Sequence, residues 1–111
     1  MKLPHADQAV VERAKIVDYL LNPAHPDNGG KTRFFTKLGF RRGEWEGLAS
    51  ALRALASEAE VVHHSNSPHG EKYVMIGRIV SPGGKSPRVK TIWIVDRGWE
   101  VARLVTAYPY E

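Results

Sequence analysis

Seven side chains, His25, Lys31, Lys72, Tyr73, Arg88, Thr106 and Tyr108, form a set suited to one reaction that needs no metal. Cleavage of RNA by its own 2′-hydroxyl requires a base for that hydroxyl. It also requires cations and hydroxyl donors for the charge on the phosphorane, and an acid for the leaving 5′-oxygen. Histidine serves as base or acid near neutral pH. Lysine and arginine stabilise the charge, and tyrosine orients a phosphate or stacks on a base. His25, Lys31, Lys72, Thr106 and Tyr108 are therefore the candidate catalytic groups, with Arg88, Arg78 and Tyr73 as candidate substrate contacts, Arg88 on charge and strand position alone. Each also has a plainer reading. His25 between Ala24 and Pro26 can brace a turn, Lys31 can be a solvated cation near a helix start, and Thr106 with Tyr108 can pack one strand face.

Other chemistries find less support. Cysteine is absent, which removes disulfides, thiolate zinc sites and thiol nucleophiles together. His63 and His64 are adjacent, so on a strand they point to opposite faces, and no HExxH pattern accompanies them. Gly29-Gly30-Lys31-Thr32 and Gly83-Gly84-Lys85-Ser86 lack the GxxxxGK[ST] spacing of a phosphate loop, and the second reads as a hairpin turn. No serine sits in a G-x-S-x-G elbow. The expectation is a chain that uses no metal and no cofactor.

The elements that must position these residues fall into two halves, a helical one over about 8–59 and a sheet over about 60–109. From Val10 to Leu21 the apolar residues Val10, Ala14, Val17 and Leu21 step by four, three and four, which predicts an amphipathic helix. Asn22-Pro23 stops it, and a loop to Gly30 follows. A second short helix from Lys31 to Leu38 presents Phe34, Phe35 and Leu38. The third carries Trp45, Leu48, Ala49, Leu52, Leu55 and Ala56 on one stripe. Then the period changes. Glu60 to His64, Glu71 to Val80, Arg88 to Asp96 and Val101 to Tyr108 alternate and are rich in β-branched and aromatic residues. Helices followed by strands predict an α+β domain, with about three helices on one face of a four-stranded antiparallel meander. The separator from Ser81 to Ser86 leaves strand register open. A one-residue slip decides whether Lys72, Arg88 and Thr106 share a face.

The chain has 111 residues and 12.4 kDa, the size of one domain that buries roughly 65% of its unfolded surface. At 42% hydrophobic and 25% charged residues it has the composition of a folded globular protein. The net charge of +4 is uneven. Residues 23–45 carry five basic and two acidic side chains and residues 61–111 carry seven and four, whereas 1–22 are balanced and 46–60 are acidic. If the second helix borders the open face of the sheet, the two basic segments line one cleft suited to phosphates. With no long apolar run and no leader pattern, a soluble cytosolic chain without a membrane span is expected.

Several segments also carry a resemblance. Arg103-Leu-Val-Thr-Ala-Tyr-Pro-Tyr110, Tyr19-Leu-Leu-Asn-Pro-Ala-His-Pro26, Lys31-Thr-Arg-Phe-Phe35 and Glu71-Lys-Tyr-Val74 resemble a family of small bacterial domains of unknown function. Such domains occur as standalone proteins and as C-terminal tips of polymorphic toxins. Their layout and terminal V-T-A-Y-P strand look like the barnase, EndoU, colicin E5/D and RelE group of metal-independent ribonucleases. The resemblance implies an RNase toxin with its site on the sheet, drawing on His25, Lys31, Lys72, Thr106 and Tyr108. It further implies RNA as substrate and a small acidic antitoxin or immunity protein as partner. A histidine on the first helix, common in that nuclease group, is missing here, since His5 precedes the helix and His25 follows it. The alternative is a non-enzymatic immunity, regulatory or RNA-binding module whose basic face only docks.

Overall fold

Where apolar residues recur every three or four positions, helix α3 forms over Trp45–Glu58 and buries Leu48, Ala49, Leu52, Leu55 and Ala56. Removal of such a stripe from water stabilises the helix by roughly 25 cal/mol per Å², so packing rather than local propensity holds it. The computed structural model describes residues 1–110 and places two shorter α-helical segments before α3, besides single 3-10 turns at Ala6–Gln8 and Arg42–Glu44. Segment α1, Arg13–Lys15, runs directly into a π-helical stretch, Ile16–Leu20, and α2 spans Lys31–Lys37. Among the described residues no helix is long and apolar enough to cross a membrane.

Four strands follow: β1 (Val61–Ser67), β2 (Gly70–Arg78), β3 (Arg88–Asp96) and β4 (Arg103–Pro109). They pair in the order β1-β2-β3-β4, every pair antiparallel, which is the α+β meander expected from the sequence. One face packs on the helices through Tyr73, Met75, Val89, Trp93, Leu104 and Ala107. Trp93 is fully buried there, and its indole Nε1 donates to Thr91 Oγ1 at 2.8 Å.

Register on the opposite face sets out cross-strand rows: Lys72–Ile94–Arg103, Val74–Ile92–Thr106, Ile76–Lys90–Tyr108 and Arg78–Arg88. Lys72, Arg88 and Thr106 therefore do share a face. A bulge opposite Ile92 and Trp93 inserts Val105 into β4, leaving Leu104 and Ala107 facing the core while Thr106 and Tyr108 face outward. Bulges re-aim side chains in this way.

The first helix departs from expectation. Val10 is not helical but pairs with the outer edge of β4: its amide donates to the Ala102 carbonyl at 2.8 Å, and the Leu104 amide donates to the Val10 carbonyl at 2.9 Å. Covering an open strand edge satisfies backbone groups that a longer helix would leave unpaired. The buried residues are accordingly Val11, Ile16, Leu20 and Leu21, while Val10 is 43% exposed. The wider π turn rotates side chains relative to ideal helical spacing and directs Tyr19 toward the sheet. A smaller departure lies between β1 and β2, where only residues 68 and 69 remain outside the strands. Gly70 closes that turn at φ +144°, and a Cβ there would collide with the Val95 carbonyl.

Candidate functional site

Between the π-helical stretch, the start of α2 and the end of β4, side chains from distant parts of the chain converge on Tyr19. Its phenolic oxygen lies 3.0 Å from Thr106 Oγ1, a hydrogen bond that spans 87 residues of sequence. Lys15 Nζ stands 5.3 Å from the Tyr19 ring centroid and Lys31 Nζ 5.4 Å from it. The His25 ring meets Tyr19 edge-on with centroids 4.9 Å apart. Lys31 also approaches the Tyr108 ring at 5.9 Å, and Lys90 approaches the same ring at 5.7 Å. All seven residues are half-buried, reachable by solvent yet packed.

The electrostatics centre on the Tyr19 phenol. Burial pushes it toward the neutral form, but the Thr106 hydrogen bond, the Lys31 ammonium and the Lys15 charge together outweigh burial and hold it below the ordinary tyrosine range. Nearby cations stabilise the phenolate by direct attraction. His25 is held differently. The Asp27 amide donates to His25 Nδ1 at 3.0 Å, so the neutral ring carries its proton on Nε2 and presents a donor there.

The loop before α2 is built to hold these groups. Buried Asn28 donates through Nδ2 to the Asn22 carbonyl at 2.6 Å and to Thr32 Oγ1 at 2.8 Å, and Thr32 Oγ1 donates to the Leu20 carbonyl at 2.9 Å. The end of the π-helical stretch is thereby tied to the first turn of α2. Gly29 and Gly30 adopt left-handed φ of 59° and 86°, a conformation that places Lys31 at the mouth of a cavity of 330 Å³. Gly29, Gly30, Lys31, Tyr108 and Pro109 line that cavity.

Of the eight residues singled out from sequence, His25, Lys31, Thr106 and Tyr108 come together. Lys72 is exposed on the same face but two strands away and one row removed, roughly 12 Å from Thr106 by strand spacing. Arg88 and Arg78 are exposed and directly opposite each other at the other end of the face. Tyr73 is buried on the helix-covered side, stacked on His64 at 4.4 Å, so it does not reach the open face. The two basic segments do not form a single cleft. Of the lysines and arginines in residues 23–45 only Lys31 reaches the sheet site, while Arg33, Arg41 and Arg42 line a separate cleft of 810 Å³ around α2. Sequence reading missed Tyr19, Lys15 and Lys90. The one available signal for the first two was their i, i+4 spacing, a contact pair on any helix-like turn. Among the described residues no group of three or more His, Asp or Glu side chains could hold a metal ion.

Among solved structures, a chain of the contact-dependent growth inhibition toxin–immunity protein complex from Klebsiella pneumoniae 342 has a similar fold, with a TM-score of 0.74 and 19% identity. The match covers 91% of this chain and 99% of that one. At this identity the likeness is one of fold. No curated protein matches the chain. The family model described as Domain of unknown function (DUF6883) matches residues 2–111, essentially the whole sequence, and the chain belongs to that family.

Proposed function

We propose that this domain is a metal-independent RNA endonuclease of bacterial toxin type, acting in the cytoplasm of its target cell. The observation that carries the reading is the Tyr19–Thr106 hydrogen bond, set within a ring formed by Lys15, Lys31 and His25. In this reading the Tyr19 phenolate takes the proton of the 2′-hydroxyl, whose oxygen attacks the adjacent phosphorus. Lys31 and Thr106 stabilise the charge on the non-bridging oxygens. His25 Nε2–H hydrogen-bonds the 5′-oxygen as its bond to phosphorus breaks, and the proton that Tyr19 took from the 2′-hydroxyl passes to that oxygen, regenerating the phenolate and leaving a 2′,3′-cyclic phosphate and a 5′-hydroxyl. Lys90 and Tyr108 flank the scissile nucleotide, while Lys72, Arg78 and Arg88 attract the strand at longer range.

The resemblance to the barnase, EndoU, colicin E5/D and RelE group supports this reading, as does a fold shared with a chain of a toxin–immunity protein complex. A free toxin of this kind requires a neutralising partner, here a small acidic immunity protein that covers the basic face. Incubation of purified protein with total RNA in EDTA tests the assignment. The expected result is discrete fragments with cyclic-phosphate or 3′-phosphate ends, lost in Tyr19→Phe and Lys31→Ala. Intact RNA at high protein concentration would refute cleavage and favour an immunity or regulatory module.

A further inference from the structure

Beyond the Tyr19 cluster the open face continues as an ordered alternation of rings and cations. We propose that it is a track for an unpaired RNA strand, with Tyr108 and Tyr110 as successive base-stacking platforms. The inference rests on RNA being the substrate and adds the substrate's form and the residues that read it. Tyr110 follows Tyr108 by two residues, and its amide still donates to the Arg88 carbonyl at 3.1 Å, so both rings leave an extended backbone on one side. Their spacing along the strand is therefore about 6.6–6.8 Å. That spacing suits an extended strand with splayed bases and is about twice the ~3.4 Å rise per nucleotide of a duplex.

Each ring has a cation over it. Lys31 and Lys90 attend Tyr108, and the Arg88 guanidinium carbon stands 5.1 Å from the Tyr110 centroid. A base stacked on the ring would leave its phosphate beside the cation, the arrangement that single-strand binders use. Tyr110 is 37% exposed and available for stacking. Arg78 lies directly opposite Arg88, a like-charge cross-strand pair that costs stability unless an anion joins it. Among the described strand residues of this face the one carboxylate, Asp96, is engaged by Arg103 at 2.7 Å at the far end. Arg78 donates to the Ser86 carbonyl at 2.7 Å, and Lys72, Arg88 and Lys90 have no carboxylate partner among the described residues, which leaves their charge for a polyanion.

Fluorescence anisotropy with a short labelled 2′-O-methyl RNA tests the track, because the methyl group blocks the nucleophile and separates binding from cleavage. The single strand should bind at least roughly tenfold more tightly than its duplex. Tyr110→Ala should weaken binding by roughly 5- to 150-fold, the range for one stacked base, while Tyr110→Phe stays within about twofold. Arg88→Gln should reduce the slope of log affinity against log salt by about 0.7, as expected for one phosphate contact on a single strand. Equal affinity for duplex, or an unchanged affinity in Tyr110→Ala, would overturn the track. If the strand binds through Tyr110 while total RNA stays intact, the track stands and the cleavage reading falls. If RNA is cleaved while Tyr110→Ala binds normally, the reverse holds.

Discussion

Replacing Tyr19 by Phe deletes one oxygen and leaves the ring, so the ring contacts with Lys15, Lys31 and His25 persist while the bond to Thr106 and the polar contact of Lys31 with the phenol are lost. A half-buried hydrogen bond between neutral groups contributes about 0.5–1 kcal/mol, since water can replace the lost partner. For a domain of this size that corresponds to a fall in Tm of about 2–8 °C. Loss of a proton-transfer group or transition-state donor is far larger, about 10²–10³ in rate. Single-turnover cleavage and thermal unfolding, measured on the same preparation, separate the two effects. Adding Thr106→Val to Tyr19→Phe should cost little further activity, because the two act as one unit. The pH dependence has a definite sign. Tyr19's folded pKa lies below its unfolded value, so its stabilising contribution is complete above the ordinary tyrosine range and fades as pH falls through the lowered value. The stability gap between wild type and Tyr19→Phe should therefore widen as pH rises into the alkaline range. Lys15→Ala, by removing a charge that lowers the phenol, should move the ascending limb of the rate profile, which reports deprotonation of the base, to higher pH. A Tyr19→Phe protein that cleaves within about threefold of wild type would refute the assignment, as would loss of activity only in step with loss of fold.

Three further outcomes test the scaffold. Thr91→Val keeps the side-chain shape but strips the acceptor from the buried Trp93 indole, and should destabilise by about 1–3 kcal/mol in urea titration with unchanged m. Asp96→Asn removes a two-pronged bond with Arg103, whose donors hold the Asp96 carboxyl below its usual range. That stabilisation is present at neutral pH and lost as pH falls through the lowered value. Because both partners are more than a third exposed it amounts to less than about 1 kcal/mol, and the unfolding curves of wild type and variant should converge in acid. Gly70→Ala drives a Cβ into the Val95 carbonyl at an already strained φ and should cost more than about 3 kcal/mol, read as loss of cooperative unfolding at ordinary temperature.

Helix α3 was legible because one long stripe of apolar residues had a single way to be buried. Strand β3 was equally legible, its bounds Arg88 and Asp96 marked by alternation and turn residues on either side. The first helix was not, because Val10 and Val11 read equally well as a helical stripe or as an edge strand. Only the presence of an uncovered β4 edge selected the second. Tyr19 escaped notice for the same reason: a tyrosine on an amphipathic segment looks like core until the π turn aims it at Thr106.

Residue types and local periods therefore determined the α+β class, the order of elements and the kinds of groups available for chemistry. Tertiary structure alone decided which of those groups meet. The bulge at Val105 sends Thr106 and Tyr108 to the open face, and register places Lys72 on that face but away from the cluster. Tyr73, a near neighbour of Lys72 in sequence, turns inward. Local periodicity acts over a few residues, whereas a contact such as Tyr19 with Thr106 depends on how strands pair and where an edge is covered, choices made by packing across the whole domain.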